Sequence, residues 1–167
     1  MKISTYPISK ILLLFSFAFI CSCDTGDDSR YAEFDYYDDS KIEAVETDRG
    51  FDISITEGDM LVFEYIFETE GREEVADDEF AQRLYFEIPA GVQEFELDSE
   101  NFATASAYLG RTCFCGITGN YPVNAGSISG RKTSSNTFAV TIDIQVNFED
   151  DFDTYQLQTS ANLKRRN

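Results

Sequence analysis

The chain has 167 residues and carries 31 acidic against 13 basic side chains, a formal net charge of −18 at pH 7. A chain this acidic is repelled by nucleic acid and by anionic lipid headgroups, which makes both poor candidates as partners. It contains no histidine, which excludes Ser-His-Asp and Cys-His nucleophilic sites as well as histidine-ligated metal centres.

An apolar run near the N-terminus is typical of a secretory signal. Lys2 and Lys10 supply positive charge, and the run 11–20 (ILLLFSFAFI) is interrupted only by Ser16. It is shorter than the roughly 20 residues that a membrane-spanning helix needs, and small and polar residues follow it at once. The sequence therefore predicts that residues 1–22 are a signal peptide.

The signal ends in Ile20-Cys21-Ser22-Cys23, which resembles the lipobox of bacterial lipoproteins. In that family an aliphatic residue stands three positions before the lipidated cysteine and a small residue directly before it, so the match is to Cys23. Cys21 fits poorly because cleavage would follow the bulky, β-branched Ile20. The resemblance implies that Cys23 is the first mature residue and carries a diacylglyceryl thioether and an N-acyl chain, which together anchor the protein stably in a membrane.

Residues 23–40 are predicted to be the lipidated cysteine and an extended acidic tether. Residues 24–40 hold seven acids and one arginine, a composition typical of linkers. Their start, 24–28 (DTGDD), also resembles the acidic signals of surface-exported lipoproteins of the Bacteroidetes, which favours an outer-membrane and surface-exposed location. Asp24 directly after the lipidated cysteine would instead imply retention in the inner membrane under enterobacterial sorting rules. Several aromatic residues within 31–37 suggest that part of the tether docks on the domain.

From about Lys41 onward the sequence indicates β-strands, so 41–167 is predicted to be one all-β domain. One series of alternating apolar residues marks the inward face of a strand: Leu61, Phe63, Tyr65 and Phe67. The clearest strand covers 137–148, and with 154–163 it predicts a hairpin. A short helix is left open for 73–84. About seven to nine strands separated by turns are typical of an antiparallel β-sandwich, either immunoglobulin-like or jelly-roll.

Cys113-Phe114-Cys115 is the most distinctive motif inside the domain. Once Cys21 is removed and Cys23 is acylated, the thiols of Cys113 and Cys115 are the only ones left, and such thiols are usually oxidised outside the cytoplasm. We expect a local disulfide between them, which requires a bend in the strand, with two buried free thiols as the alternative. Together with the later run 126–130 (GSISG), the motif resembles envelope lipoproteins of Flavobacteria, a resemblance that implies no activity.

The acidic turn 149–153 (EDDFD) is a weak candidate for Ca²⁺, with Asp150, Asp151 and Asp153 as oxygen ligands. The turn lacks the spaced D-x-D-x-D-G order of calcium loops, so a solvated hairpin turn is favoured. No other metal and no cofactor is predicted.

The sequence contains no recognisable catalytic motif, so we do not expect an enzyme. It predicts a lipid-anchored cell-envelope protein that acts as a binding or structural module, with the membrane as one partner and an envelope protein or glycan as a second. The alternative is a carbohydrate-binding or carbohydrate-active surface protein. An exposed aromatic strip beside two close carboxylates would favour the glycan, and a flat apolar patch would favour a protein partner.

Overall fold

The computed structural model describes residues 30–69, 80–113, 119–148 and 153–166. Ten strands account for most of them, and no helix occurs among them. The strands are β1 (Arg30–Thr47), β2 (Gly50–Glu57), β3 (Met60–Thr69), β4 (Phe80–Pro89), β5 (Glu94–Asp98), β6 (Tyr108–Cys113), β7 (Asn120–Pro122), β8 (Ala125–Ser134), β9 (Thr137–Phe148) and β10 (Asp153–Arg165). The all-β prediction is confirmed for these ranges. The helix left open for 73–84 is wrong for 80–84, which begin β4, whereas 73–79 lie outside the described residues.

All ten strands belong to one hydrogen-bonded sheet, in the order β2-β7-β6-β4-β3-β1-β10-β9-β8-β5. Neighbouring strands run antiparallel, except that β1 and β10 pair in parallel where Asp35 lies opposite Lys164. The predicted C-terminal hairpin is confirmed, because β9 and β10 pair in continuous register from Thr137 to Phe148. The antiparallel character expected from the sequence is therefore confirmed as well.

Six of the strands close into a ring because β1 has different partners along its length. Up to the pair Ser40–Met60 it lies beside β3, and from Ser40 onward it pairs with β2. At this change Asp39 adopts a left-handed φ of 48°, which aspartate tolerates better than most residues. Since β2 reaches β7 through the pair Phe51–Asn120, strands β1, β2, β7, β6, β4 and β3 form a closed ring. The hydrogen bonds thus describe one partly closed sheet and not two separate sheets.

An aromatic cluster forms the main core. The ring of Phe63 in β3 stacks on Phe86 in β4 with the centroids 4.8 Å apart, and it meets Phe138 in β9 edge-on at 5.2 Å. Phe95 of β5 contacts the rings of Phe63 and Phe86 at 5.5 and 5.7 Å. Stacked and edge-on pairs of this kind stabilise a core by more than the burial of their apolar area alone would. The cluster packs β3 and β4 against β5 and β9, which lie beyond the β1–β10 junction in the sheet.

The predicted tether, 23–40, is wrong from Arg30 onward because β1 begins there. Tyr36 is only 1% exposed, and its ring lies 5.6 Å from that of Phe63. Residues 30–40 are therefore part of the domain and contribute to its core. Residues 23–29 lie outside the described part of the chain.

The basic C-terminus lies against the acidic residues of β1. Arg165 Nη2 is 2.8 Å from the carboxylate of Asp38, and Arg166 Nη1 is 3.2 Å from Asp35 and 3.7 Å from Glu33. Because both arginines are exposed to solvent, each ion pair is screened and contributes little to stability by itself. Together they offset the repulsion among acids that the sequence analysis assigned to a linker.

Strand β3 is buried on both faces. The predicted inward-facing residues are buried or packed against the main core: Leu61, Phe63, Tyr65 and Phe67. The alternate residues Val62 and Glu64 are also buried, at 0% and 9% exposure. A strand buried on both faces needs a covering layer on each side. Strands β9 and β10 supply one layer, and β2 with the last part of β1 supplies the other, which creates a second interior inside the ring.

Candidate functional site

The interior of the ring holds a solvent-open cavity of about 460 Å³, which we call the ring chamber. Its main walls are Tyr37 of β1, Ile53 and Ile55 of β2, Glu64 of β3 and Tyr85 of β4. Side chains at every second position of a strand point to the same face, which places Ile53 with Ile55 on the inner side of the ring. The volume lies within the range of about 300–1,000 Å³ that is usual for small-molecule sites.

A small apolar cluster supports the ring chamber. Ile42, Val62 and Tyr85 are buried together, and Tyr108 packs beside them. Phe51 adds a further ring, with its centroid 5.2 Å from that of Tyr108. These residues form a cluster separate from the main core, so the chamber has packing of its own.

Glu64 is the central polar group of the ring chamber. It and Gln82 are the buried polar side chains of the described ranges. Glu64 Oε2 accepts a 2.6 Å hydrogen bond from the hydroxyl of Tyr37, and hydrogen bonds to a charged acceptor are roughly twice as strong as neutral ones. Among the ion pairs formed by the described residues, none includes Glu64. Its partner is therefore a phenol and not a cation.

The two tyrosines of the ring chamber have raised pKa values. Burial, and then the hydrogen bond and charge of Glu64, raise the pKa of Tyr37 to about 12. Burial, and then the charge of Glu64, also raise the pKa of Tyr85. Both phenols therefore keep their protons at neutral pH. The arrangement offers neutral hydroxyl groups around the buried carboxylate of Glu64, with the exposed Glu57 as a second acid of the lining, which suits binding through hydrogen bonds and negative charge.

Arg166 fixes the orientation of the Tyr37 hydroxyl. Its Nη1 donates a 3.2 Å hydrogen bond to that oxygen, so the hydroxyl hydrogen remains directed at Glu64. Asp35 lies directly opposite Glu64 in the β1–β3 ladder, a juxtaposition of like charges that destabilises a sheet. Burial, and then the charge of Glu33, raise the pKa of Asp35. The guanidinium of Arg166 offsets this crowding of acids at the edge of the chamber.

A second cavity of about 490 Å³ adjoins the ring chamber, because Ile53 and Tyr85 line both. Its other lining residues include Arg83 and Asn120. Arg83 Nη2 lies 2.9 Å from the carboxylate of Glu68. The ring interior thus presents a carboxylate at one end and a guanidinium at the other.

Glu87 connects β4 to β1 just beyond the first residue of β3, where the pairing of β1 with β3 stops. Beyond Met60, the first residue of β3, the N–H of Ile42 donates instead to Glu87 Oε2 at 2.7 Å. The other oxygen, Oε1, accepts from the hydroxyl of Ser106 at 2.8 Å. Both carboxylate oxygens of Glu87 therefore have structural partners, which distinguishes it from Glu64.

We expect the substitution Glu87→Gln to lower the free energy of unfolding by about 1.5–3 kcal/mol. An amide has only one accepting oxygen and no charge, so the bond from the N–H of Ile42 becomes weaker and Ser106 can no longer donate to this side chain and must accept from the amide nitrogen instead. Urea denaturation measures the change. Glu46→Gln, at an exposed position of β1, removes the same charge and should stay within about 0.5 kcal/mol of the unchanged protein. Equal losses in the two variants would contradict the structural role of Glu87.

A third cavity, of about 510 Å³, lies on the strands that do not belong to the ring, and we call it the outer groove. Its polar lining comes from β5, β8, β9 and β10: Glu94, Ser129, Arg131, Thr141, Ser160 and Asn162. Opposite charges face each other between β5 and β8, where Glu94 pairs with Arg131 in the ladder. The outer groove therefore offers mostly neutral hydroxyl and amide groups.

Most residues that the sequence proposed for a site lie outside the described ranges. These are Cys23, Cys115, Asp150 and Asp151. Of Cys113 and Asp153 the structure describes the backbone, at the end of β6 and at the start of β10. Lipid attachment, the disulfide and the calcium turn therefore stay predictions.

The sequence analysis did not identify the ring chamber. One signal in the sequence could have pointed to it: Glu64 is the only charged residue in the apolar run 60–67 (MLVFEYIF). Since that run is apolar at odd and even positions alike, both faces of the strand were candidates for burial, and so was the acid. Tyr37 was assigned to the tether, which hid its proximity to Glu64.

The described ranges contain no group of three or more side chains placed to hold a metal ion. Within them there is also no helix long and apolar enough to cross a membrane. Comparison with protein-family models, curated proteins and solved structures finds no match. The function is therefore argued from the geometry of the ring chamber and from the N-terminal sequence.

Proposed function

We propose that this protein is a lipid-anchored cell-envelope protein whose β domain acts as a binding module through the ring chamber. The observation that carries the proposal is Glu64, a buried carboxylate that lines an open cavity and has a phenol as its partner. Burying a carboxylate without a cation is costly. A fold that keeps such a carboxylate beside a cavity large enough for a small molecule is suited to binding a ligand.

The N-terminal sequence supports the anchor. A basic start, an apolar run and the sequence Ile20-Cys21-Ser22-Cys23 follow one another as in lipoproteins. Because β1 begins at Arg30, only the six residues 24–29 separate Cys23 from the domain. At roughly 3.3–3.6 Å per residue, such a segment holds the domain within about 25 Å of the lipid. In an outer membrane, the binding module would act close to the membrane surface.

The main core supports a two-layer arrangement of the sandwich class. Phe63 and Phe86 of the ring pack on Phe95 and Phe138, which belong to strands outside the ring. Four strands, β5, β8, β9 and β10, thus form a layer that covers one side of the ring. The domain fits a sandwich with one partly closed layer.

Glycan binding at the outer groove is a second candidate function. The neutral hydroxyl and amide groups of Ser129, Thr141, Ser160 and Asn162 match the hydroxyl groups of a sugar, and Phe95 contributes a partly buried ring. Glu64 and Gln82, the buried polar residues among those described, do not line this groove. We therefore place it second to the ring chamber.

The anchor is tested by metabolic labelling with an alkyne analogue of palmitate in the native host. We expect label and a membrane location for the unchanged protein, because the lipid chains are joined to Cys23. Cys23→Ala should remove the label and the mature form. Cys21→Ala is the matched control and should be labelled, because Cys21 is discarded with the signal.

Label on the Cys23→Ala protein, or loss of label in Cys21→Ala alone, would contradict attachment at Cys23.

Protease treatment of intact cells then locates the domain. Digestion with periplasmic markers spared supports surface export, whereas full protection contradicts the interpretation of 24–28 as an export signal.

A further inference from the structure

We propose that the ring chamber binds an organic cation, a primary or quaternary ammonium group held between the carboxylate of Glu64 and the rings of Tyr37 and Tyr85. This inference rests on the proposed binding function and names its ligand class. It follows from charge, from the chemistry of the chamber walls and from volume, which are taken in turn.

Glu64 forms no direct ion pair with the described residues, and Arg166 reaches it only through the hydroxyl of Tyr37. Tyr37 donates to Oε2 at 2.6 Å, and no lysine or arginine of the described ranges pairs with the carboxylate. Arg166 reaches the Tyr37 oxygen and pairs with Asp35 at 3.2 Å. A cationic ligand would therefore supply the direct ion pair that Glu64 lacks. The net charge of −18 also raises the local concentration of cations.

The walls of the ring chamber favour an organic cation over a metal ion. Tyr37 and Tyr85 line the chamber together with the carboxylate, and Ile53 and Ile55 supply apolar surface. A cation over the face of an aromatic ring is attracted by its π electrons, and the apolar walls accommodate methyl or methylene groups. A divalent cation would require several oxygen ligands, a set that the described side chains do not bring together.

The volume fits a small ligand or the end of a long side chain. About 460 Å³ accommodates a trimethylammonium group with a short chain attached. The raised pKa values of Tyr37 and Tyr85 keep both rings neutral, so neither hydroxyl adds negative charge or is lost as a donor near pH 7.

The test uses choline and its uncharged carbon isostere, 3,3-dimethyl-1-butanol. The full-length protein is labelled at its isoleucine methyl groups, placed in maltoside micelles and titrated with each compound by NMR. Choline should shift the methyl signals of Ile53 and Ile55 in the chamber and leave Ile128 and Ile142 of the main core unchanged. The isostere should cause much weaker shifts, because it has the shape of choline without the charge.

The substitution Glu64→Gln should raise the Kd for choline about ten- to a hundredfold, a loss of about 1.4–2.7 kcal/mol, because the ammonium group loses its charged partner. The amide oxygen can still accept from Tyr37, so the amide spectrum should show an intact fold. Glu46→Gln removes the same charge at an exposed position outside the chamber. Its Kd should stay within about twofold of the unchanged protein, a shift of about 0.4 kcal/mol.

Equal binding of choline and the isostere, or an unchanged Kd in Glu64→Gln, would overturn the cation inference while leaving the chamber as a binding site. Absence of shifts at Ile53 and Ile55 with both compounds would overturn the cation inference and the binding role of the chamber together. Neither outcome affects the labelling of Cys23, so the proposal of the lipid anchor and the proposal of the ligand class are tested independently.

Discussion

Replacing Phe63 with alanine is expected to lower the free energy of unfolding by about 3–5 kcal/mol. The side chain is 0% exposed, and its ring contacts those of Tyr36, Phe86, Phe95 and Phe138 at centroid distances of 4.8–5.6 Å. Removal of this ring leaves a cavity between β3 and four other strands, and the packed neighbours can fill it only in part. Since domains are stable by only about 5–15 kcal/mol, the loss is a large fraction of the total.

Phe67→Ala is the matched control, because it removes the same ring from the same strand. Phe67 is only partly buried against the core, and its ring partner, Phe80, lies 6.2 Å away. We expect a loss of about 1–2 kcal/mol there. Urea denaturation measures both values, provided that the dependence of the unfolding free energy on urea concentration is the same in each variant. Equal losses in the two variants would contradict the central place of Phe63 in the core.

The C-terminal hairpin could be predicted because β9 is buried on one face only. Its apolar residues alternate strictly and are almost fully buried: Phe138, Val140, Ile142, Ile144, Val146 and Phe148. The residues between them, such as Thr141, Gln145 and Asn147, are exposed. When one face of a strand is buried and the other is exposed to solvent, apolar and polar residues alternate with a period of two in the sequence.

Strand β1 could not be predicted in the same way, because its compensating charges lie at the other end of the chain. Glu33 and Asp35 alternate with Phe34 and Tyr36, and the local composition is that of a linker. Arg166 pairs with both acids only after β10 has been placed beside β1. Nothing within the segment itself indicates that its charge is offset.

The ring chamber depends on features that are tertiary and not local. β3 shows no alternation, since Val62 and Glu64 are buried along with their neighbours. Closure of the ring requires the left-handed Asp39 and the single pair between Phe51 and Asn120. Each of these looks unremarkable in the sequence, so the sequence can indicate the strands but not the chamber that they enclose.

The acidic composition conceals several distinct roles. Glu64 is buried beside a cavity, Glu87 completes backbone hydrogen bonding of β1, and Asp38 pairs with Arg165 at the C-terminus. The exposed acids of the described ranges, such as Glu46, remain to give solubility. A net charge alone therefore cannot separate a binding residue from a structural one, because the difference is set by burial and by the partner of each carboxylate.

The substitution Gly126→Ala is expected to destabilise the domain by about 3 kcal/mol or more, the sum of backbone strain and overpacking. Gly126 has a φ of 97°, a conformation that side chains rarely adopt. An added Cβ would lie 2.7 Å from the Cα of Ile144 and would collide with the carbonyl oxygen of Asp143. Both belong to the backbone of β9, which is paired on its two sides with β8 and β10 and cannot move without disturbing the main core.

Gly91→Ala separates strain from collision. Its φ of 83° is equally unfavourable for alanine, but no atom lies within 4 Å of an added Cβ, so only the backbone strain of about 1–2 kcal/mol is expected. Thermal or urea unfolding of the two variants measures the difference, which is the cost of pushing β8 away from β9. If both variants lost the same stability, β9 would have to yield to the added methyl group, and the tight β8–β9 pairing at Gly126 would be contradicted.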